Sequence, residues 1–186
     1  MASAASTSFV QELYQTILLR SGSAHDVDSW ATLLDSGLLT QAQEISAFET
    51  SAEAVAYTDL AVRMYQTFFG RAPDPDGLSG WVNDLRSGSI SALGLAEGFA
   101  GSAEFQNRYG ESPNYTAFVT ALYQNVLGRS PDAPGLAGWV NALNSGQLDY
   151  AGVALGFANS QEFINNSAGA VDNWLTQAVQ NAVAGV

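Results

Sequence analysis

The sequence predicts an all-α protein: three tandem helical repeats of about 50 residues packed into one domain, with a C-terminal closing helix. Three observations carry that prediction. A shift of 58 residues lays 60–109 over 118–167 without a gap, and 24 of the 50 positions are identical, a register that chance does not produce. A shift of 51 adds a more divergent first copy, in which Tyr14 falls on Tyr65, Arg20 on Arg71, Trp30 on Trp81, Gly37 on Gly88, Phe48 on Phe99 and Glu53 on Glu104. Apolar residues recur at helical spacing throughout, and the alternation of a half-buried strand is missing.

Each copy resolves into short helices. The first carries Phe9, Leu13, Ile17 and Leu18, or Val62, Tyr65, Phe68 and Phe69, or Val119, Leu122, Tyr123 and Val126. Gly70 and Gly128 stand where a C-cap glycine is expected, and Pro73 and Pro131 follow three residues on. A second helix carries Leu78, Trp81, Val82 and Leu85, matched by Leu136, Trp139, Val140 and Leu143. It ends at Ser-Gly in every copy, at Gly37, Gly88 and Gly146. A third carries Leu95 and Phe99, or Val153 and Phe157. Thr50, Gly101 and Asn159 then read as N-caps with Glu53, Glu104 and Glu162 three residues later. That is a capping-box pattern, complete at Thr50 and Asn159. The tail from 169 to 186 carries Val171, Trp174, Leu175, Ala178 and Val179 and reads as a closing helix. The expected organisation is one domain over 1–186, with repeats at 9–58, 60–109 and 118–167.

Composition narrows the function. Among 186 residues there are six Arg, no Lys and eighteen acidic side chains, for a net charge of −12. Phosphate neutralisation needs converging cations, so nucleic acid is not an expected partner, and neither is an anionic lipid surface. No apolar run approaches the ~18–20 residues of a span, so membrane insertion is not expected. Cys is absent and His25 is the single histidine, which excludes thiol chemistry and leaves little for a His-dependent hydrolase or metal centre. No acid/base pair recurs among the copies, and the chain reads as not an enzyme. The Lys-free, Cys-free, Gly/Ala/Ser/Asn-rich composition fits exported bacterial surface proteins. The N-terminal segment MASAASTSFVQEL has neither cationic nor apolar region, so a type I route reading a C-terminal signal is the expectation.

Several residues could carry chemistry. Glu53, Glu104 and Glu162 are explained as caps. Arg71 and Arg129 suit the C-terminal end of the first helix and can bond loop carbonyls or the following Asp. Trp30, Trp81 and Trp139 read as core, with sugar stacking as the second reading. In the turn from Pro73, Asp74 and Asp76 resemble the start of a calcium loop but lack its later acidic ligand. Asp74 and Asp132 therefore read first as N-caps, and calcium at Asp74, Asp76 and Asp132 is the lesser reading; no other cofactor is expected. The break in register between the second and third copies is an insert, polar and marked by Pro and Gly. It holds Arg108, Tyr109, Asn114 and Tyr115, the expected ligand-binding residues, because rings and amides in a loop suit a sugar.

The order Tyr, Gly-Arg-x-Pro-Asp, Gly-Leu-x-x-Trp, Ser-Gly, Gly-Phe, Ser-x-Glu-Phe resembles a widespread bacterial family of all-helical repeats of unknown function, found in exported surface-layer and repeats-in-toxin proteins. The second and third copies carry the whole pattern; the first lacks the Gly-Arg-x-Pro-Asp turn. More loosely, the repeat is similar to phycobilisome linker domains, which share a Tyr…Gly-Arg turn but are basic. The family resemblance implies an extracellular or cell-surface, non-catalytic module anchoring to cell-surface polysaccharide or lipopolysaccharide. The alternative is a self-assembly module making protein–protein contacts in a homo-oligomer, lattice or filament.

Overall fold

The structure, a computed structural model, describes residues 2–184 and is all-α: among the described residues there are eleven α-helices, two π-helical turns and no strand. The helices are α1 (Ala4–Thr16), α2 (Ala24–Asp35), α3 (Gln41–Glu49), α4 (Asp59–Phe69), α5 (Pro75–Ser87), α6 (Ala92–Ala100), α7 (Ala103–Tyr109), α8 (Tyr115–Leu122), α9 (Ala133–Asn144), α10 (Tyr150–Ala158) and α11 (Gln161–Ala184). The π-helical turns are Ala54–Thr58, leading into α4, and Tyr123–Leu127, following α8. The chain divides into two compact units, Met1–Asp59 with Gly169–Val186, and Leu60–Ala168.

The first unit holds the first repeat. α1 packs on α2, and Phe9, Val10, Leu13, Ile17, Val27 and Ala31 are buried. The start of α1 is tied to the end of α2, because the Ser3 and Ser6 hydroxyls both donate to Asp35 Oδ1, at 2.9 and 2.6 Å. Deep inside, the Thr58 hydroxyl donates to the carbonyl of Ile17 at 2.8 Å. Val171, Leu175 and Val179 bury the C-terminal stretch of α11, and Thr176 Oγ1 donates to the buried Glu49 at 2.7 Å.

The second unit holds the second and third repeats. Its most extensive helix contact is between α6 and α10, which occupy equivalent positions in their repeats. Equivalent residues also meet: Asn125 Nδ2 donates to the carbonyl of Thr67 at 3.0 Å, and the two are 58 positions apart. Like meeting like is the mark of a self-complementary interface, here within one chain. Leu95, Ala96 and Phe99 on α6, and Val153, Ala154 and Phe157 on α10, are buried.

Two expectations are corrected. The tail is not a separate helix, since α11 runs unbroken from Gln161. Phe163, Ser167, Val171, Leu175 and Val179 are all buried and follow one another at intervals of four, so the helical stripe continues straight past Gly169. The last two positions of the expected tail helix, 185 and 186, lie outside the described residues. The capping boxes also shift by one residue. Thr50, Gly101 and Asn159 end the preceding helices, and the caps are Ser51, Ser102 and Ser160, whose hydroxyls accept from the N–H of Ala54, Phe105 and Phe163. The Glu side chains are left to find another partner.

Candidate functional site

That partner is an arginine 33 residues earlier, in every copy. Arg20 Nε and Nη2 donate to the two oxygens of Glu53, both at 2.7 Å. Arg71 does the same to Glu104 at 2.8 and 2.7 Å, and Arg129 to Glu162 at 3.2 and 3.1 Å. The remaining terminal nitrogen, Nη1, donates to the carbonyl of the next residue, Ser21, Ala72 or Ser130. Two charge-assisted bonds to a rigid fork outweigh the single backbone N–H of a capping box. The pairing leaves its mark on titration: the Arg71 fork holds Glu104 below the usual carboxylate range, and Glu104 in turn raises Arg71.

Local sequence puts each group in place. A residue with positive φ turns the chain just before the arginine: Leu19 at φ 53°, Gly70 at 60°, Gly128 at 61°. Six residues before each arginine a tyrosine lies under the guanidinium, Tyr14 and Tyr65 at 5.0 Å and Tyr123 at 5.2 Å from ring centre to Cζ. The tyrosine meets a phenylalanine of the third helix edge-on, Tyr14 with Phe48 at 4.9 Å, Tyr65 with Phe99 at 4.8 Å, Tyr123 with Phe157 at 4.9 Å. A tryptophan then leans on that phenylalanine: Trp30 at 5.3 Å, Trp81 at 5.5 Å, Trp139 at 5.2 Å. Burial is the leading cause that pushes the Tyr14 and Tyr65 phenols above their usual pKa.

The tryptophans are thus not core. All three are half-buried, packed on one side and accessible on the other. Trp81 and Trp139 are seated on Gly98 and Gly156, where a Cβ would lie 2.5 Å from Trp81 Cη2 and 2.8 Å from Trp139 Cη2; Ala47 stands at that position in the first copy. Clefts open beside the rings. In the first copy a cleft of 190 Å³ is walled by Tyr14, Trp30 and Phe48, with Arg20, Ser51 and Glu53 at its polar edge. In the second, Tyr65, Trp81 and Phe99 wall a cleft of 110 Å³, with Arg71, Ser102 and Glu104 at the edge. The first copy lacks the Gly-Arg-x-Pro-Asp turn, yet five of the six landmark residues it shares with the second line its cleft.

Asp74 and Asp132 cap α5 and α9, accepting from Gly77 N and Gly135 N at 2.8 Å, as the turn reading expects. Their second oxygens face Arg71 and Arg129 at 3.6 and 3.8 Å. Asp76 is exposed in the first turn of α5. Among the described residues no group of three His, Cys, Asp or Glu side chains is placed to hold a metal ion.

The insert residues have packing roles that sequence reasoning did not foresee. The Tyr109 hydroxyl donates to the carbonyl of Phe68, and its ring contacts Phe105 and Phe118 at 5.0 and 5.4 Å. Asn114 is the N-cap of α8, accepting from Ala117 N at 3.1 Å. Tyr115 is half-buried beside Tyr150, whose hydroxyl donates to the carbonyl of Pro113 at 2.7 Å. Arg108 is exposed, lies over the Tyr109 ring and donates to Asn125 at 3.4 Å. The Arg-to-Glu spacing is constant and is kept even in the most divergent copy, which is the sequence signal for the fork beside each cleft.

A family model described as a domain of unknown function (DUF4214) matches residues 2–58 and 96–167, more than half of the chain. No curated protein and no solved structure matches.

Proposed function

The chain belongs to the DUF4214 family, and we propose that it is a non-catalytic, surface-exposed module of an exported bacterial protein that binds cell-envelope or extracellular polysaccharide through its repeated aromatic clefts. One observation carries this reading: what the most divergent repeat keeps lines a cleft, a half-buried tryptophan beside the buried rings of Tyr14 and Phe48 with the Arg20–Glu53 pair at the edge. A sugar ring stacks its C–H face on an indole, while the Arg–Glu fork and a serine hydroxyl offer donors and acceptors to its hydroxyls. Several clefts on one chain suit a polymer that repeats its own unit, because each further contact is intramolecular once the first has formed. The Lys-free and Cys-free composition and the resemblance to surface-layer and repeats-in-toxin proteins support the extracellular setting.

The test compares a triple and a double variant with the wild type on immobilised neutral polysaccharides, with tryptophan fluorescence as a second reading. Trp30→Phe, Trp81→Phe and Trp139→Phe together keep an aromatic packing partner for each phenylalanine but shrink the platform, and should weaken binding at least tenfold. Tyr109→Phe with Tyr115→Ala should leave it unchanged. The opposite pattern moves the site to the insert, and absence of binding by the wild type ends the proposal.

A further inference from the structure

Resting on that reading, we infer that the clefts select uncharged sugars and turn away anionic ones. In the second and third copies one guanidinium sits among two carboxylates. In the second copy Arg71 lies between Glu104 at 2.7 Å and Asp74 at 3.6 Å. In the third, Arg129 lies between Glu162 at 3.1 Å and Asp132 at 3.8 Å.

The first copy reaches the same balance by another route. Ser23 stands at the position of Asp74, so the cap is neutral. The missing charge is restored by Asp26, held by a 2.7 Å hydrogen bond from the Ser23 hydroxyl. Asp26 lies in the first turn of α2, three residues after that cap, and its charge adds to burial in pushing the Tyr14 phenol up. A second carboxylate arriving from different positions in different copies is the feature that needs explaining, because capping alone requires only one polar side chain at the cap itself.

The consequence follows from charge and from hydrogen-bond geometry. Each arginine already gives Nε and Nη2 to its glutamate and Nη1 to a carbonyl, so three of its five N–H donors, including the Nε–Nη2 fork that would grip a carboxylate, sulfate or phosphate, are taken. An incoming anion meets a net negative edge, and the chain's overall charge of −12 adds to the repulsion. A neutral sugar meets acceptors for its hydroxyls and an aromatic wall.

The test measures binding to dextran, mannan and chitin oligomers against polygalacturonate and dextran sulfate, for the wild type and for the variant Asp26→Asn, Asp74→Asn and Asp132→Asn. At Asp74 and Asp132 asparagine is as good an N-cap as aspartate, and at position 26 its amide oxygen can still accept from the Ser23 hydroxyl, so the fold should be kept, checked by an unchanged Tm. The wild type should bind only among the neutral polymers. The variant should hold neutral affinity within about twofold and gain affinity for the anionic ones, about fourfold per cleft for a charge some 5 Å away in water. A control with Asp84→Asn, Glu97→Gln and Glu111→Gln, which removes three exposed carboxylates outside the clefts, should gain far less. Tight wild-type binding to an anionic polymer, or equal gains in variant and control, overturns the inference while leaving the polysaccharide reading standing. No binding to any polymer removes both.

Discussion

Arg20 and Glu53 form the tightest of three equivalent forks, and the fork loosens as it becomes more exposed. The side chains are 35% and 25% exposed in the first copy, 39% and 42% for Arg71 and Glu104, and 43% and 49% for Arg129 and Glu162. Bond lengths rise in the same order, from 2.7 Å in the first to 3.1 and 3.2 Å in the third. Water competes for the same donors where it can reach them, so each fork stabilises its repeat in proportion to its shelter. Replacing Arg20 by Met should cost about 1–2 kcal/mol in chemical denaturation, and replacing Arg129 by Met clearly less. An equal cost at both sites would show that exposure does not govern the forks.

Acid should test the second fork. The Arg71 hydrogen bonds depress the folded pKa of Glu104 below its ordinary value of 4.5. The unfolded chain therefore takes up the proton first as pH falls. The stabilisation is present above the unfolded pKa and is lost as pH drops through the folded one. Glu104→Gln should flatten that part of the acid denaturation profile, measured by Tm between pH 6 and pH 3. A profile unchanged by the substitution would place the acid sensitivity elsewhere.

The turn before each arginine gives a prediction about backbone. A Cβ on Gly128 meets nothing within 4 Å, so Gly128→Ala is strained only by φ of 61° and should cost about 1 kcal/mol. A Cβ on Gly70 would also stand 2.9 Å from Asn125 Oδ1, and that amide is held by the Thr67 carbonyl. Gly70→Ala should cost clearly more than Gly128→Ala in the same urea titration. Leu19 bears the same conformation without being glycine, the one non-glycine with positive φ among the described residues.

How far these features can be read from sequence differs by type. The all-helical class and the existence of most helices are legible, since periodicity, Ser-Gly stops and proline positions are local signals. The N-caps were displaced by one residue because Thr50, Asn159 and the serines that follow them have similar cap propensity, and the choice depends on where the glutamate finds its arginine 33 residues away. Tyr109 looked free as part of an insert; its hydroxyl contact with Phe68 joins residues 41 apart and leaves no local trace. The tryptophans sat on an apolar face and read as core, but face and depth are separate properties. Trp81 and Trp139 each lie against a glycine of the next helix, Gly98 and Gly156, a contact that the pattern of their own helix does not reveal.

Tyr109 supplies a direct check of its packing role. Tyr109→Phe removes the hydroxyl from a half-buried site and leaves the Phe68 carbonyl without that donor, at a cost of about 1 kcal/mol. Tyr115→Ala, which loses only a half-exposed ring contact, should cost less than Tyr109→Ala, where the ring also leaves Phe105 and Phe118. Thermal melts of the three variants settle the order, and a neutral Tyr109→Ala would return that residue to the list of free surface rings.

The last prediction concerns Glu44, which stands at the position filled by Leu95 and Val153 in the other repeats. Its side chain is fully buried, and neither carboxylate oxygen has a hydrogen-bond partner. Burial alone drives its pKa from 4.5 to about 7. The unfolded chain releases this proton near 4.5 and the folded one only near 7, so between those values the folded state binds more protons. Stability then falls as pH rises through that window and stays low above it, by up to about 3 kcal/mol for a shift of this size. Glu44→Leu restores the residue type of the second repeat, and should raise stability at pH 8 by a similar amount while changing it little at pH 4.5. Urea titrations of both proteins at the two pH values decide the matter. Equal gains at pH 4.5 and pH 8 would mean that apolar packing, and not ionisation of a buried carboxyl, separates the two side chains.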